Sequence, residues 1–153
     1  LAITLKKEKI VKKIDAIDVS EDALVVAKKN SQKLNVDNII FQKKNILHDK
    51  INKKYDLIVS NPPYISKKDY NVLPKHIKKF EPPLALTDND DGYIFYKFFF
   101  KNLYKNLKPR GKIMLEIGHE TTKPIIEKIF SKKYVIMWHK DFNGDHRILE
   151  LHV

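Results

Sequence analysis

The sequence predicts an open α/β fold: a mostly parallel sheet flanked by helices on both faces, closed by a C-terminal antiparallel hairpin. Three observations predict it. Short β-branched runs alternate with longer segments of helical period, the pattern of a sheet whose crossovers are helices. One run, Tyr55 to Ser60 (YDLIVS), is nearly continuous in apolar residues, as a parallel strand covered on two faces must be. Near the C-terminus, Asn143-Gly144 separates two strand-like runs, and this dipeptide supplies the positive φ that tight hairpins need.

The elements follow in order. Leu1 to Glu8 (LAITLKKE) reads as the end of a helix. Lys13 to Asp18 is a short strand ending on an acid. Ser20 is a helix N-cap with Glu21 and Asp22 in the first turn, where negative charge is favourable. Ala23, Leu24, Ala27 and Leu34 form the apolar face of that helix, and Asn35 ends it. Asn38 to Lys43 is a second strand and Tyr55 to Ser60 a third, stopped by Asn61-Pro62-Pro63, where neither strand nor helix continues. Residues 65–91, with Pro74, Pro82 and Pro83, read as a long functional loop containing at most one short helix. Gly92 to Leu107 is an aromatic-rich helix, Pro109-Arg110-Gly111 a turn, Lys112 to Ile117 a fourth strand and Thr121 to Phe130 a helix. Tyr134 to Asp141 and Arg147 to His152 form the hairpin.

Size and composition exclude several classes. The 153 residues fit one domain with a sizeable core, and 42% hydrophobic residues are too many for a disordered chain. No apolar run approaches the roughly 20 residues that span a bilayer, so no membrane partner is expected. The absence of cysteine excludes disulfides and thiolate metal sites, and a reducing cytoplasm fits it. The six histidines show no metal-ligand spacing, and Asp88, Asp90 and Asp91 fail the EF-hand pattern, so no metal is expected. The net charge of +11 invites a nucleic-acid reading, but the basic residues are nearly all Lys and are spread along the chain, not gathered into a stripe. Biased composition explains them better, and direct nucleic-acid binding is not favoured. The Phe98-Phe99-Phe100 run reads as a helix face packed on the sheet, not a stacking platform.

In open α/β sheets, ligands bind beyond the carboxyl ends of the strands. Asp18 ends the first strand, Asn45-Ile46 follows the second and Asn61 follows the third. The Asn61-Pro62-Pro63-Tyr64 tetrapeptide is the sharpest signal. Two prolines stiffen the backbone, so that a carbonyl is aimed at low entropic cost. Asn adds a side-chain oxygen acceptor and Tyr a flat face. A conjugated NH2 group is a poor nucleophile because its lone pair is delocalised. Two acceptors gripping both N–H bonds, the Asn61 side-chain oxygen and the Pro62 carbonyl, favour a more tetrahedral nitrogen whose lone pair can be aimed at an electrophilic carbon.

These segments resemble the catalytic domain of the HemK/PrmC-like protein-(glutamine-N5) methyltransferases. The resemblance runs through AIDVSEDAL at residues 16–24, Asn45-Ile46, the NPPY tetrapeptide, Phe80-Glu81-Pro82, Ala85-Leu86, Asp91-Gly92, LEIG at residues 115–118 and DFNGDHRIL at residues 141–149. It implies a Rossmann-like class I fold that uses S-adenosyl-L-methionine and releases S-adenosyl-L-homocysteine. It implies cofactor contacts from Asp18 (to the ribose hydroxyls), Val19, Asn45, Ile46 (beside the adenine) and Asn61. Catalytic roles fall on Asn61, Pro62 and Tyr64, and substrate contacts on Asn61, Pro62, Pro63, Tyr64, Glu81 and Pro82. The implied substrate is the Gly-Gly-Gln glutamine of a peptide-chain release factor, modified by a cytoplasmic monomer. Adenine-N6 and guanine-N2 methyltransferases use similar tetrapeptides, and a relative acting on a ribosomal-protein glutamine is barely separable. The sequence shows Asn45 where an Asp is usual and Asn89-Asp90 where a Gly is common. The family's N-terminal helical recognition domain, first core strand and glycine-rich loop have no counterpart in residues 1–153, so a partial catalytic domain is expected, a truncated fragment that binds cofactor poorly or is inactive.

Overall fold

The computed structural model describes residues 1–152 and divides into two compact units, Leu1–Ile51 and a second that begins at Asn52.

The first unit runs helix α1 (Ala2–Lys7), strand β1 (Ile14–Asp18), helix α2 (Glu21–Lys33) and strand β2 (Ile39–Lys43). The two strands pair in parallel, in register from Ile14 opposite Ile39 to Asp18 opposite Lys43. The Ser20 hydroxyl accepts the Ala23 amide at 3.2 Å, capping α2 as its sequence predicts. Asn35, at φ 51°, lets the chain turn away after the helix. The buried face differs from the expected one. Leu24 is buried and Ala27 half-buried, whereas Ala23 and Leu34 are exposed. Counting three, four and seven residues on from Leu24 leads to Ser31, which is buried and donates to the Val36 carbonyl. Leu34 is already the C-cap and lies past the last helical turn.

The second unit contains a four-stranded sheet in the order β3-β4-β6-β5, from β3 (Tyr55–Ser60), β4 (Leu107–Glu116), β5 (Val135–Lys140) and β6 (His146–His152). The β3–β4 pair is parallel; β4–β6 and β5–β6 are antiparallel. Among the described residues the strand pairings are thus two parallel and two antiparallel, a mixed topology. Within this sheet β3 is an edge strand and none of its residues is fully buried. Its apolar run therefore marks a strand with both faces half covered.

Residues 65–91, expected as a loop, contain three short helices: α3 (Lys67–Val72), α4 (Lys75–Phe80) and α5 (Pro83–Leu86). The prolines that argued against helix stand at the starts. Pro74 is the N-cap of α4, and Pro82 and Pro83 open α5, where a missing amide costs nothing. The aromatic helix α6 covers Ile94–Asn102 and tightens into a 3-10 turn over Leu103–Asn106. Pro109-Arg110-Gly111 is not a turn between elements. It is a bulge inside β4: Tyr55 pairs with Leu107 and Leu57 with Lys112, so the extra residues of β4 loop out beside Asp56. Arg110 takes φ 62° there, and Gly111 is buried against the Tyr55 and Lys108 carbonyls. Helix α7 (Lys123–Phe130) is preceded by a 3-10 turn at Glu120–Thr122.

The core of this unit lies where β4 and β6 meet the aromatic helices. Ile113, Leu115, Ile117, Leu149 and Leu151 alternate along the strands and are fully buried, as are Ile126 and Phe130 of α7. Each such side chain contributes about 1.5–3 kcal/mol of burial. Tyr96 and Phe99 bury one face of α6, and Phe100 packs edge-on against Phe130 and Tyr134 with ring centres 6.1 and 6.2 Å away. Of the triple-Phe run Phe99 is buried and Phe98 and Phe100 are half-buried, so it packs against the protein as its sequence predicts, though partly on α7 and not on the sheet alone. No helix among the described residues is long and apolar enough to cross a membrane.

Candidate active site

In the first unit the parallel register brings the ends of β1 and β2 side by side. The Lys44 amide donates to the Asp18 carbonyl at 2.9 Å, so Asp18 and Asn45 emerge from adjacent strand ends. Asp18 is exposed; its Oδ1 accepts the Ser20 amide at 2.8 Å, which leaves Oδ2 as a further acceptor. Val19 is exposed beside it. Asn45 folds its side chain into an Asx turn, with Oδ1 accepting the Leu47 amide at 3.0 Å, while its own amide donates to Asp49 Oδ2 at 2.8 Å. Its side-chain NH2 remains available as a donor. Ile46 is half-buried next to it. A carboxylate oxygen, a neighbouring amide donor and two apolar side chains are a donor set suited to a ribose diol and a heteroaromatic base.

In the second unit the tetrapeptide leaves the end of β3. Asn61 is exposed, Pro62 is buried, and Pro63 and Tyr64 are half-buried. The Asn61 side chain forms no hydrogen bond with another described residue, so its oxygen and amide are free to meet a ligand. Burial raises the Tyr64 hydroxyl above its usual pKa; Glu116 adds to this and Arg147 opposes it. The phenol is therefore neutral at physiological pH.

The segment is held at its Tyr64 end. After Tyr64 the chain makes a parallel bridge, Ile65 to Thr87, and the Ile65 amide donates to the Leu86 carbonyl at 3.0 Å. The Lys67 amide donates to the Asp90 carbonyl at 2.8 Å. These contacts tie together the neck of the three-helix excursion. Asp88 organises the return: its carboxylate accepts the Asp90, Gly92 and Ile94 amides at 2.9, 3.0 and 3.0 Å. The Asp88 carboxylate is thereby held by backbone donors, including one at the start of α6. Gly92, at φ 85°, passes so close that a Cβ would lie 2.6 Å from the Tyr64 carbonyl oxygen. Only glycine fits such a place.

Glu81 and Pro82 lie exposed between α4 and α5, and neither makes a recorded side-chain hydrogen bond with the tetrapeptide. The sequence offers Gly92, Gly118 and Arg147 only as members of the resembling stretches, with no individual role, and gives none to Tyr96; all four pack on or near Tyr64. The scarcity of glycine was the available signal: there are four in 153 residues.

A Rossmann-like α/β framework with polar groups at successive strand ends defines the class I methyltransferase fold. A methyltransferase from Pyrococcus furiosus superposes on 98% of the chain with a TM-score of 0.70 at 21% identity, the chain covering 66% of it. Residues 1–84 match the family described as methyltransferase small domain, and the chain belongs to that family. Among characterised relatives, the release factor glutamine methyltransferase of Fusobacterium nucleatum is 36% identical over 97% of this chain. That of Bacillus subtilis strain 168 is 37% identical, also over 97%. The chain spans 43% and 53% of the lengths of these two relatives.

Proposed function

We propose that the chain is the methyl-transferring part of a protein-(glutamine-N5) methyltransferase acting on the Gly-Gly-Gln glutamine of peptide-chain release factors. The observation that carries this reading is the free Asn61 side chain at the end of β3, followed by two prolines and a seated Tyr64. The names of the relatives from Fusobacterium nucleatum and Bacillus subtilis support the substrate.

S-adenosyl-L-methionine, when bound, supplies a methyl group already activated by a positive sulfur. The chain's own work is orientation. With the cofactor bound, the Asp18 carboxylate would take the ribose hydroxyls, and Val19, Asn45 and Ile46 would flank the adenine. The Asn61 Oδ1 and the Pro62 carbonyl would accept the two N–H bonds of the glutamine amide and favour a more tetrahedral nitrogen with an available lone pair. Tyr64 covers the amide plane. Glu81 and Pro82 contact the peptide flanking the glutamine. No strong base is needed, because the nitrogen becomes acidic only once methylated and its extra proton then leaves to water.

The reading is tested by incubating the protein and labelled cofactor with a release factor, a release factor whose Gly-Gly-Gln glutamine is replaced by alanine, a ribosomal-protein preparation and DNA. Label on the first alone, located on the glutamine side chain by fragment mass spectrometry, is the expected result. Label on nucleic acid, or equal label on the alanine variant, would overturn it.

A further inference from the structure

Gly118 stands just past the end of β4, and what surrounds it is the Tyr64 ring. A Cβ built at this position would fall on the ring, nearest Cδ2, 2.6 Å from Cε2 and 3.1 Å from Cγ. Nothing else crowds it so closely. Its backbone does not require glycine either, since positive φ among the glycines is confined to Gly92 and Gly144. The missing side chain therefore serves one neighbour.

The backbone at Gly118 is itself held in place. Arg147 Nη1 donates to the Gly118 carbonyl and, at 3.3 Å, to the Ile117 carbonyl. The Ile117 amide returns a 2.9 Å bond to the Arg147 carbonyl. Asp141 and Asp145 in turn pair with the guanidinium, at 3.3 and 3.9 Å. One residue before Ile117, the Glu116 carbonyl accepts the Tyr96 hydroxyl at 2.8 Å. The Tyr64 ring thus rests on a strand end that the Arg147 and Tyr96 side chains hold, while Gly92 passes against the Tyr64 carbonyl.

We propose that Gly118 is a positioning residue for the Asn61–Tyr64 segment: by carrying no side chain it leaves the seat of the Tyr64 ring, and through that ring it sets the pose of Asn61 and the Pro62 carbonyl. The transmission is mechanical. Two prolines leave few soft dihedrals between Asn61 and Tyr64, so the part of a ring displacement that the Tyr64 χ1 and χ2 do not absorb passes to the acceptors. This deepens the proposed function and rests on it for the reaction that is positioned, though not for the seating of the ring.

The test is a cycle of Gly118→Ala, Tyr64→Ala and the double variant in the full chain, beside a tyrosine-labelled sample whose Tyr64 ring signals are assigned by Tyr64→Phe. Gly118→Ala should shift the Tyr64 ring signals and lower the urea midpoint in the parent, and should change the midpoint little once the Tyr64 ring is gone. In the methylation assay it should lower kcat about 10-fold or more, through misplacement of the acceptors, with KM for the cofactor little changed. Unmoved ring signals, an equal loss of stability in both Tyr64 backgrounds, or a normal kcat with the ring displaced would each overturn the proposal. A parent protein that methylates no glutamine would sink the functional reading instead, and the ring signals and stability cycle would still decide whether Gly118 seats Tyr64.

Discussion

The Tyr96 hydroxyl donates a 2.8 Å hydrogen bond to the carbonyl of Glu116, joining the buried face of helix α6 to the last residue of β4. Tyr96 is 1% exposed, and burial raises its hydroxyl far above the usual tyrosine range, so the group remains a donor at any working pH. Tyr96→Phe keeps the ring and removes the bond. It should cost about 1–2 kcal/mol, a typical loss for a buried hydrogen bond whose acceptor is left behind. Urea unfolding followed by tryptophan fluorescence measures this; an unchanged midpoint would show that the bond contributes nothing net.

Asn61→Ala should lower methyl transfer by ~10² or more through lost orientation of the amide. Asn61 is exposed and bonds to no other described residue, so its removal should leave the unfolding midpoint unchanged. Asn61→Asp makes a sharper comparison. It keeps an acceptor oxygen but adds a negative charge, and it should recover little of the rate if neutral acceptor geometry is what matters. Turnover near the parent value for the alanine variant would remove Asn61 from the mechanism.

Asp18→Asn preserves the turn to Ser20, because an amide oxygen can still accept the Ser20 amide. It removes the charge and one acceptor. Cofactor affinity should fall about 10- to 100-fold, the worth of a charge-assisted hydrogen bond, with the fold intact. Isothermal calorimetry on both proteins reads the ratio, and equal affinities would free Asp18 of that role.

Glu150 gives the sheet an acid-sensitive staple. Its side chain is 8% exposed and accepts from Lys112 at 3.0 Å, His139 at 2.7 Å and His152 at 2.8 Å. Burial alone would raise its pKa. The hydrogen bonds from Lys112, His139 and His152, with the Lys112 charge, overcome this and hold it at about 2, against an ordinary 4.5. A depressed carboxylate stabilises the folded state above its unfolded pKa, and that stability is lost as pH falls through the folded value. The loss should therefore run from about pH 4.5 down to about pH 2 and amount to about 1–3 kcal/mol, less than the full shift implies because its partners are partly solvated. Glu150→Gln should flatten this limb of the stability–pH curve. A variant as acid-sensitive as the parent across that window would refute the staple.

Much of the framework was legible because it depends on local chemistry. Ser20 and Asn143-Gly144 announce a cap and a hairpin wherever they occur, and both stand where their chemistry places them. Residues 65–91 were not legible, because prolines there mark helix starts as readily as loops. The β4 bulge was hidden for a related reason: Pro109-Arg110-Gly111 has turn chemistry, and only its neighbour across the sheet reveals that the strand continues. In the candidate site, the tetrapeptide advertised itself by composition. Its supports at Gly92, Gly118 and Arg147 are 28 to 83 residues away from Tyr64 along the chain and acquire meaning only through contact.

The tied neck between Tyr64 and Gly92 separates two kinds of change. The chain leaves at Ile65 and returns at Leu86 and Thr87, bonded across its own base, with a further tie from Lys67 to Asp90. Such a closed loop behaves as an exchangeable cassette. Its closure entropy rises only slowly with length, so helices can be added, removed or rewritten within it at little thermodynamic cost. The two ends, and with them Asn61 and Tyr64, remain where they are. Under the proposed function, selectivity for the surroundings of the glutamine could thus be revised without reworking Asn61 and Tyr64.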